Sequence, residues 1–98
     1  MMFEIFWTDT AKAQFTRLKA DSSLAKRYKA VKKTFQLIAS NPRHPGLRTH
    51  EFSSLKGPNG EKIFESYAEQ KTPAAYRVFW CYGPNKDQIT IIAITPHP

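Results

Sequence analysis

The heptapeptide Tyr76-Arg77-Val78-Phe79-Trp80-Cys81-Tyr82 decides the fold. It mixes aromatic and β-branched side chains and stops at Gly83-Pro84-Asn85, so it reads as a β-strand with Tyr76, Val78, Trp80 and Tyr82 on one face. Arg77 points the other way, and it is the only charged residue between Lys71 and Lys86. A guanidinium on an apolar strand costs desolvation energy unless it meets water, a carboxylate or an anion. Two readings follow: a structural ion pair with Glu61, Glu65 or Glu69, or a phosphate ligand.

The flanks extend this strand into a sheet. Residues 61–69 alternate, with Ile63, Glu65 and Tyr67 on one face and Phe64 and Ala68 on the other, and Lys71-Thr72-Pro73 supplies a turn into the Arg77 strand. Beyond Gly83-Pro84-Asn85-Lys86-Asp87, Gln88-Ile89-Thr90-Ile91-Ile92-Ala93-Ile94 is nearly continuous in apolar residues, as expected of a central strand covered by helices. These three strands form an antiparallel meander.

Upstream, Phe3 to Trp7 reads as a short strand, and Thr8-Asp9-Thr10 offers N-cap oxygens for a helix carrying Ala11, Phe15 and Leu18 on one stripe. Asp21-Ser22 caps a second helix, in which Leu24, Tyr28, Val31, Phe35 and Ile38 recur at spacings of four and three. Asn41-Pro42 ends it, residues 41–50 are irregular and basic, and Leu55-Lys56-Gly57-Pro58-Asn59-Gly60 is a second turn region. The predicted fold is a small α+β domain of order β-α-α-β-β-β. It combines an antiparallel three-stranded meander, an added N-terminal strand, and two helices packed on one sheet face. Arg77 is expected on the other face.

With 98 residues, 41% of them hydrophobic, the chain has room for one modest core and no second domain. No apolar run approaches the roughly 20 residues of a membrane span, and Met1-Met2-Phe3-Glu4-Ile5 lacks the basic start of a signal peptide, so a cytoplasmic protein without membrane contact is expected. The single Cys81 fits a buried small hydrophobe, and the histidines show no metal-ligand spacing; no metal or cofactor is expected. Net charge is +7, and all of the excess lies in the first half. Lys and Arg at 12, 17, 19, 26, 27, 29, 32, 33, 43 and 48 face only Glu4, Asp9 and Asp21, whereas residues 50–98 balance. Such asymmetry suits an acidic partner such as nucleic acid, an anionic surface or an acidic protein, with nucleic acid or protein favoured.

Four features, in order over essentially the whole chain, resemble the RelE/ParE toxin superfamily of bacterial and archaeal toxin–antitoxin systems. They are the helix pair after a short first strand, Leu55-Lys56-Gly57 before the meander, Tyr76-Arg77-Val78-Phe79-Trp80 in its middle strand, and His97 after the last strand. The resemblance implies one RelE/ParE-like toxin domain over residues 1–98. It further implies a type II toxin that is a ribosome-dependent mRNA endoribonuclease, cutting by 2′-OH attack and inhibiting translation.

By that resemblance Arg77 matches the family's phosphate-binding arginine, His97 the C-terminal acid, and Glu51 the catalytic glutamate of the YoeB-like branch, with His50, Glu61 and Glu65 as competitors for the base. Arg48 and Lys56 are candidate phosphate ligands, Lys26, Lys29 and Lys33 candidate RNA contacts, and Tyr67 and Phe79 candidate stacking platforms. The implied partners are a cognate acidic antitoxin, the ribosome and mRNA. The same superfamily also contains ParE-like toxins that bind and inhibit DNA gyrase without nuclease chemistry, and inactive basic modules, so enzymatic activity stays open at this point.

Overall fold

The computed structural model describes residues 2–96. Five strands and two helices follow one another as β1 (Glu4–Trp7), α1 (Asp9–Ala20), α2 (Ala25–Ser40), β2 (His50–Lys56), β3 (Lys62–Tyr67), β4 (Tyr76–Tyr82) and β5 (Gln88–Pro96). Thr8 caps α1, its hydroxyl accepting from the Ala11 N–H at 3.0 Å. Asp21 caps a single 3-10 turn, Ser22–Leu24, that leads into α2. The hydroxyl and amide of Ser23 both donate to its carboxylate and hold it below the ordinary range.

The sheet order is β1-β5-β4-β3-β2, with β1 parallel to β5 and the remaining pairs antiparallel. The meander therefore has a fourth strand, β2, beyond the three expected from sequence. Its hydrophobic pattern is hard to read because β2 is a mostly exposed edge strand whose register with β3 shifts between Glu51 and Lys56. β5 is an interior strand, as its apolar run requires, while the middle position belongs to β4.

A bulge in β5 explains that run. Phe79 pairs with Ala93 but Trp80 pairs with Ile91, so Ile92 is the extra residue, and Ile89, Ile91 and Ile94 can all be buried on the helix side. Backbone groups near the bulge find partners on α1: the Thr8 hydroxyl donates to the Ile92 carbonyl at 2.9 Å, and the Gln14 side chain accepts from the Ile94 N–H at 2.6 Å.

α1 lies across β5 and α2 reaches β4. Leu18, Val31, Phe35 and Ile38 from the helices meet Val78, Trp80 and the β5 isoleucines in one core, ringed by Trp7, Phe15 and Tyr28. Trp7 packs edge-on to Phe35 at 4.6 Å, and Phe15 stacks on Tyr28 at 5.1 Å. With its helix-side face so filled, the sheet leaves its second face without a covering helix. Ile63 and Cys81 are buried on that second face, and burial pushes the Cys81 thiol above its ordinary value, as befits a packed hydrophobe.

One polar link is enclosed within the core. The Trp80 indole N–H donates to the fully buried Ser66 hydroxyl at 2.8 Å, and that hydroxyl also meets Thr49 Oγ1 at 2.6 Å. Ser66→Ala leaves the buried indole N–H without its acceptor. It is expected to lower stability by about 1–3 kcal/mol, measured by urea denaturation, because an unmet buried donor costs its full desolvation.

Candidate functional site

Strand alternation puts Arg77 on the sheet face opposite Val78 and Trp80. Register then selects its neighbours. Tyr67 on β3 and Thr95 on β5 lie directly across from it, Glu65 opposes Phe79 one diagonal step away, and His50 on β2 opposes Glu65. Three strands thus deliver a cation, a carboxylate and an imidazole to one spot.

The Glu65 carboxylate joins the other two. Arg77 Nη1 donates to Glu65 Oε2, while His50 Nε2 lies 2.7 Å from Glu65 Oε1. Glu65 is 2% exposed, Arg77 16% and His50 49%, so the carboxylate is sealed beneath the groups that pair with it and the imidazole reaches solvent. A buried carboxylate is tolerable when both oxygens are engaged, as here. His50 Nδ1 in turn lies 3.2 Å from the Arg48 carbonyl, which fixes the ring plane from its other side.

Tyr67 completes the cluster. Its ring centre is 4.7 Å from the guanidinium carbon of Arg77 and 5.9 Å from the His50 ring, which meets it edge-on. The Nε of Arg77 is buried and has no hydrogen-bond partner among the described residues.

Cavities open on both sides of Arg77. One, of about 410 Å³, is bounded by Arg48, Tyr67, Arg77 and the 69–75 loop with Lys71. The other, of about 490 Å³, is bounded by Phe52, Leu55, Phe79, Ala93, Thr95 and Pro96, with Glu65 and Arg77 on its wall. A third, of about 600 Å³, shares Tyr67 and Gln70 with the first and runs to Lys33 on α2 and to His44. The sheet face so formed carries a fixed cation with open space on both sides and, outside the three cavities, a half-exposed imidazole at His50. Among the described residues no cluster of His, Cys, Asp and Glu could hold a metal ion, and no helix is long and apolar enough to cross a membrane.

No protein-family model matches the chain, and no curated protein matches it. Solved structures do. A YoeB/ParE toxin from Agrobacterium tumefaciens superposes with a TM-score of 0.71 at 12% identity, over 97% of this chain and 99% of that one. The archaeal RelE–RelB complex from Pyrococcus horikoshii OT3 gives 0.65 at 11% identity, over 98% and 96%. The intact E. coli RelBE toxin–antitoxin complex gives 0.62 at 11% identity, over 98% of each. The chain has the RelE/ParE toxin fold.

Within the RelE/ParE fold, the residues singled out from sequence fall into separate places. Arg77 and Tyr67 are at the centre, and Arg48 lines the first cavity from a left-handed backbone position, φ 49°, just ahead of β2. Glu51 is not brought to them. It pairs with Phe64, whose ring packs against the helix-side core, so it projects from the face opposite His50 and Glu65; its nearest cation is Lys62, 4.0 Å away. An offset of one residue along a strand is a change of face.

Lys56 ends β2 beside Lys62, exposed and outside the three cavities. Lys26, Lys29 and Lys33 are exposed along α2, and of these Lys33 borders the third cavity. Phe79 meets Phe52 edge-on at 5.0 Å and lines the second cavity. His97 lies outside the described residues.

Of the three glutamates offered as partners for Arg77, register picks Glu65. Glu61 instead turns back to accept from the Asn59 N–H at 2.8 Å, and backbone N–H groups hold its carboxyl below the ordinary range. Glu69 accepts from the Tyr76 N–H at 3.0 Å. Sequence reading did not single out Lys71 and Gln70 for this site. They sit in an irregular loop whose only signal was a turn-forming Lys-Thr-Pro.

The ion pair makes a stability prediction separable from function. Arg77→Met strands the buried Glu65 carboxylate with His50 alone and is expected to cost about 3 kcal/mol, whereas the double variant Arg77→Met/Glu65→Leu recovers most of that loss in urea denaturation.

Proposed function

We propose that the chain is the toxin of a type II toxin–antitoxin pair and an endoribonuclease that cuts mRNA on the ribosome, so inhibiting translation. The observation that carries this reading is the Arg77–Glu65–His50 cluster on the sheet face without helices, with cavities on both sides of Arg77. The related folds in complexes titled RelE–RelB and RelBE support an antitoxin partner. Charge suggests its chemistry: the excess +7 of residues 1–49 calls for an acidic antitoxin.

The reaction needs three services. A base takes the proton of a ribose 2′-OH, a cation stabilises charge on the five-coordinate phosphate, and an acid protonates the departing 5′-oxygen. Arg77, held by Glu65 on the middle strand, supplies the cation, its planar fork suited to two phosphoryl oxygens. His50 takes the proton at Nδ1, which exchanges the Arg48 carbonyl for the 2′-OH when RNA binds, while Glu65 holds the ring through Nε2–H as carboxylates orient imidazoles in nucleophile–base pairs. Glu51, on the far face, gives up the base role to His50. His97 remains the proposed acid on sequence grounds, and Arg48 and Lys71 neutralise flanking phosphates while Tyr67 offers an aromatic surface to a base. Proton transfer and a fixed cation suffice for this chemistry, so cleavage is expected to persist in chelator.

Primer extension on mRNA after induction in the cytoplasm of a host cell tests the reading. Wild type is expected to yield discrete cuts. Arg77→Lys, which keeps a charge beside Glu65 but loses the fork, is expected to cut ~100-fold less, and His50→Ala falls by a similar factor, on the order of what one oxyanion donor or one general base contributes. Glu51→Gln is expected to cut normally; loss there would return the base role to Glu51. An induced SOS response with intact mRNA would replace the nuclease with a gyrase-directed toxin.

A further inference from the structure

The wall of the first cavity is itself held from outside. Residues 68–75 leave β3 and return to β4, and this segment contains two non-glycine residues in the left-handed region, Lys71 at φ 61° and Ala74 at φ 55°. L-residues with a Cβ adopt that conformation only when surrounding contacts impose it. Few contacts on the sheet do so, because Gln70 to Ala74 are exposed.

Next to Lys71, Gln70 Nε2 donates to the Gly46 carbonyl at 3.0 Å; around Pro73 and Ala74 the contacts come from Arg27 on α2. Its Nη1 donates to the Ala74 carbonyl and its Nη2 to the Pro73 carbonyl, both at 3.2 Å. Its Nε lies 3.9 Å from the carboxylate of Glu69, which in turn accepts from the Tyr76 N–H, and its guanidinium carbon is 5.5 Å from the centre of the Tyr76 ring. One planar group thus engages the start, the end and the exit strand of the loop at once. Lysine, with a single ammonium on the same stem, cannot span two adjacent carbonyls and the carboxylate together.

We propose that Arg27 is a positioning residue that clamps the 69–75 loop against α2 and so sets the cavity in which RNA lies beside Arg77. The proposal rests on the nuclease reading and deepens it. The loop forms one wall of the cavity of about 410 Å³, and Arg48, Tyr67 and Arg77 form the rest. Arg77 itself is anchored independently, by Glu65 and by its place on the middle strand. Loss of the clamp therefore removes a binding wall and spares the reacting centre, an effect on half-saturation rather than on maximal rate.

The test is single-turnover cleavage of mRNA on programmed ribosomes at varied toxin concentration, for wild type, Arg27→Ala, Arg27→Lys and the control Lys32→Ala, which removes the same charge from the same helix. Arg27→Ala and Arg27→Lys are each expected to raise the half-saturating concentration ~10-fold with the maximal rate within ~3-fold, and Lys32→Ala to change neither. Hydrogen exchange of the free proteins supplies a second readout: the amides of Ala68, Glu69 and Tyr76, whose hydrogen bonds close the loop, are expected to exchange ~10-fold faster in both Arg27 variants while the amides of the other strands keep their protection.

An Arg27→Lys protein that matches wild type in half-saturation and loop exchange overturns the clamp while leaving the nuclease reading in place. Equal losses in Lys32→Ala overturn it as well, since simple charge would then account for the effect. A wild-type protein that cuts no mRNA overturns the nuclease reading and with it the clamp's role toward RNA, while loop exchange in the free proteins still decides whether Arg27 holds the loop.

Discussion

Glu65 is the constraint on which the rest of the site depends. A carboxylate 2% exposed has to be matched at both oxygens, and the groups that match it are Arg77 and His50, drawn from the strands on either side. That requirement orders two long side chains without a helix to pack them. It also prevents Arg77 from collapsing onto any passing acid, because Glu61 and Glu69 are committed to backbone N–H groups elsewhere. A preorganised cation is better suited to an anion than a flexible surface arginine, since little ordering remains to be done when the ligand arrives.

The sheet makes this possible by asymmetry. Its helix-side face is filled by the apolar residues of α1, α2, β4 and β5, and the bulge at Ile92 lets β5 place three isoleucines there. Thr8 and Gln14 from α1 satisfy backbone groups near that bulge, so the first helix supports β5 as well as covering it. Hydrophobic burial on one face leaves the other free to carry charge. The polar cluster there is confined to β2, β3 and β4, while the loop after β3 and the residue before β2 add Lys71 and Arg48 to its rim.

How much of this could be read from the chain differs from element to element. The helices were legible because Leu24, Tyr28, Val31, Phe35 and Ile38 keep helical spacing and Thr8 caps α1; Asp21, read as the cap of α2, caps the 3-10 turn before it, and α2 itself starts after Leu24 without a side-chain cap. β4 was legible because its aromatic and β-branched run stops at Gly83-Pro84-Asn85, and the two-residue repeat of a strand then placed Arg77 opposite Val78 and Trp80. β2 was not, because an edge strand with a shifted register has no continuous apolar stripe to read. Pairing register is a tertiary property, and for that reason the choice among three glutamates, and the separation of Glu51 from His50 onto opposite faces, emerged only with the sheet assembled. The role of Arg27 was equally hidden, since it depends on a helix meeting a loop more than forty residues away. The RelE/ParE fold, by contrast, was recoverable from the order of short motifs although the superposed structures share only 11–12% identity with this chain.

In the proposed chemistry the site supplies a fixed cation and a proton-exchanging imidazole, and the attacking oxygen is the RNA's own 2′-OH. This makes the chemistry of the cut ends the most direct test of the account. Attack by the 2′-OH closes a 2′,3′-cyclic phosphate on the upstream fragment and leaves a free 5′-hydroxyl on the downstream one. Mass spectrometry of the fragments released from programmed ribosomes is predicted to find that pair of ends. A 3′-hydroxyl opposite a 5′-phosphate would contradict it, because such ends require attack by water rather than by the ribose.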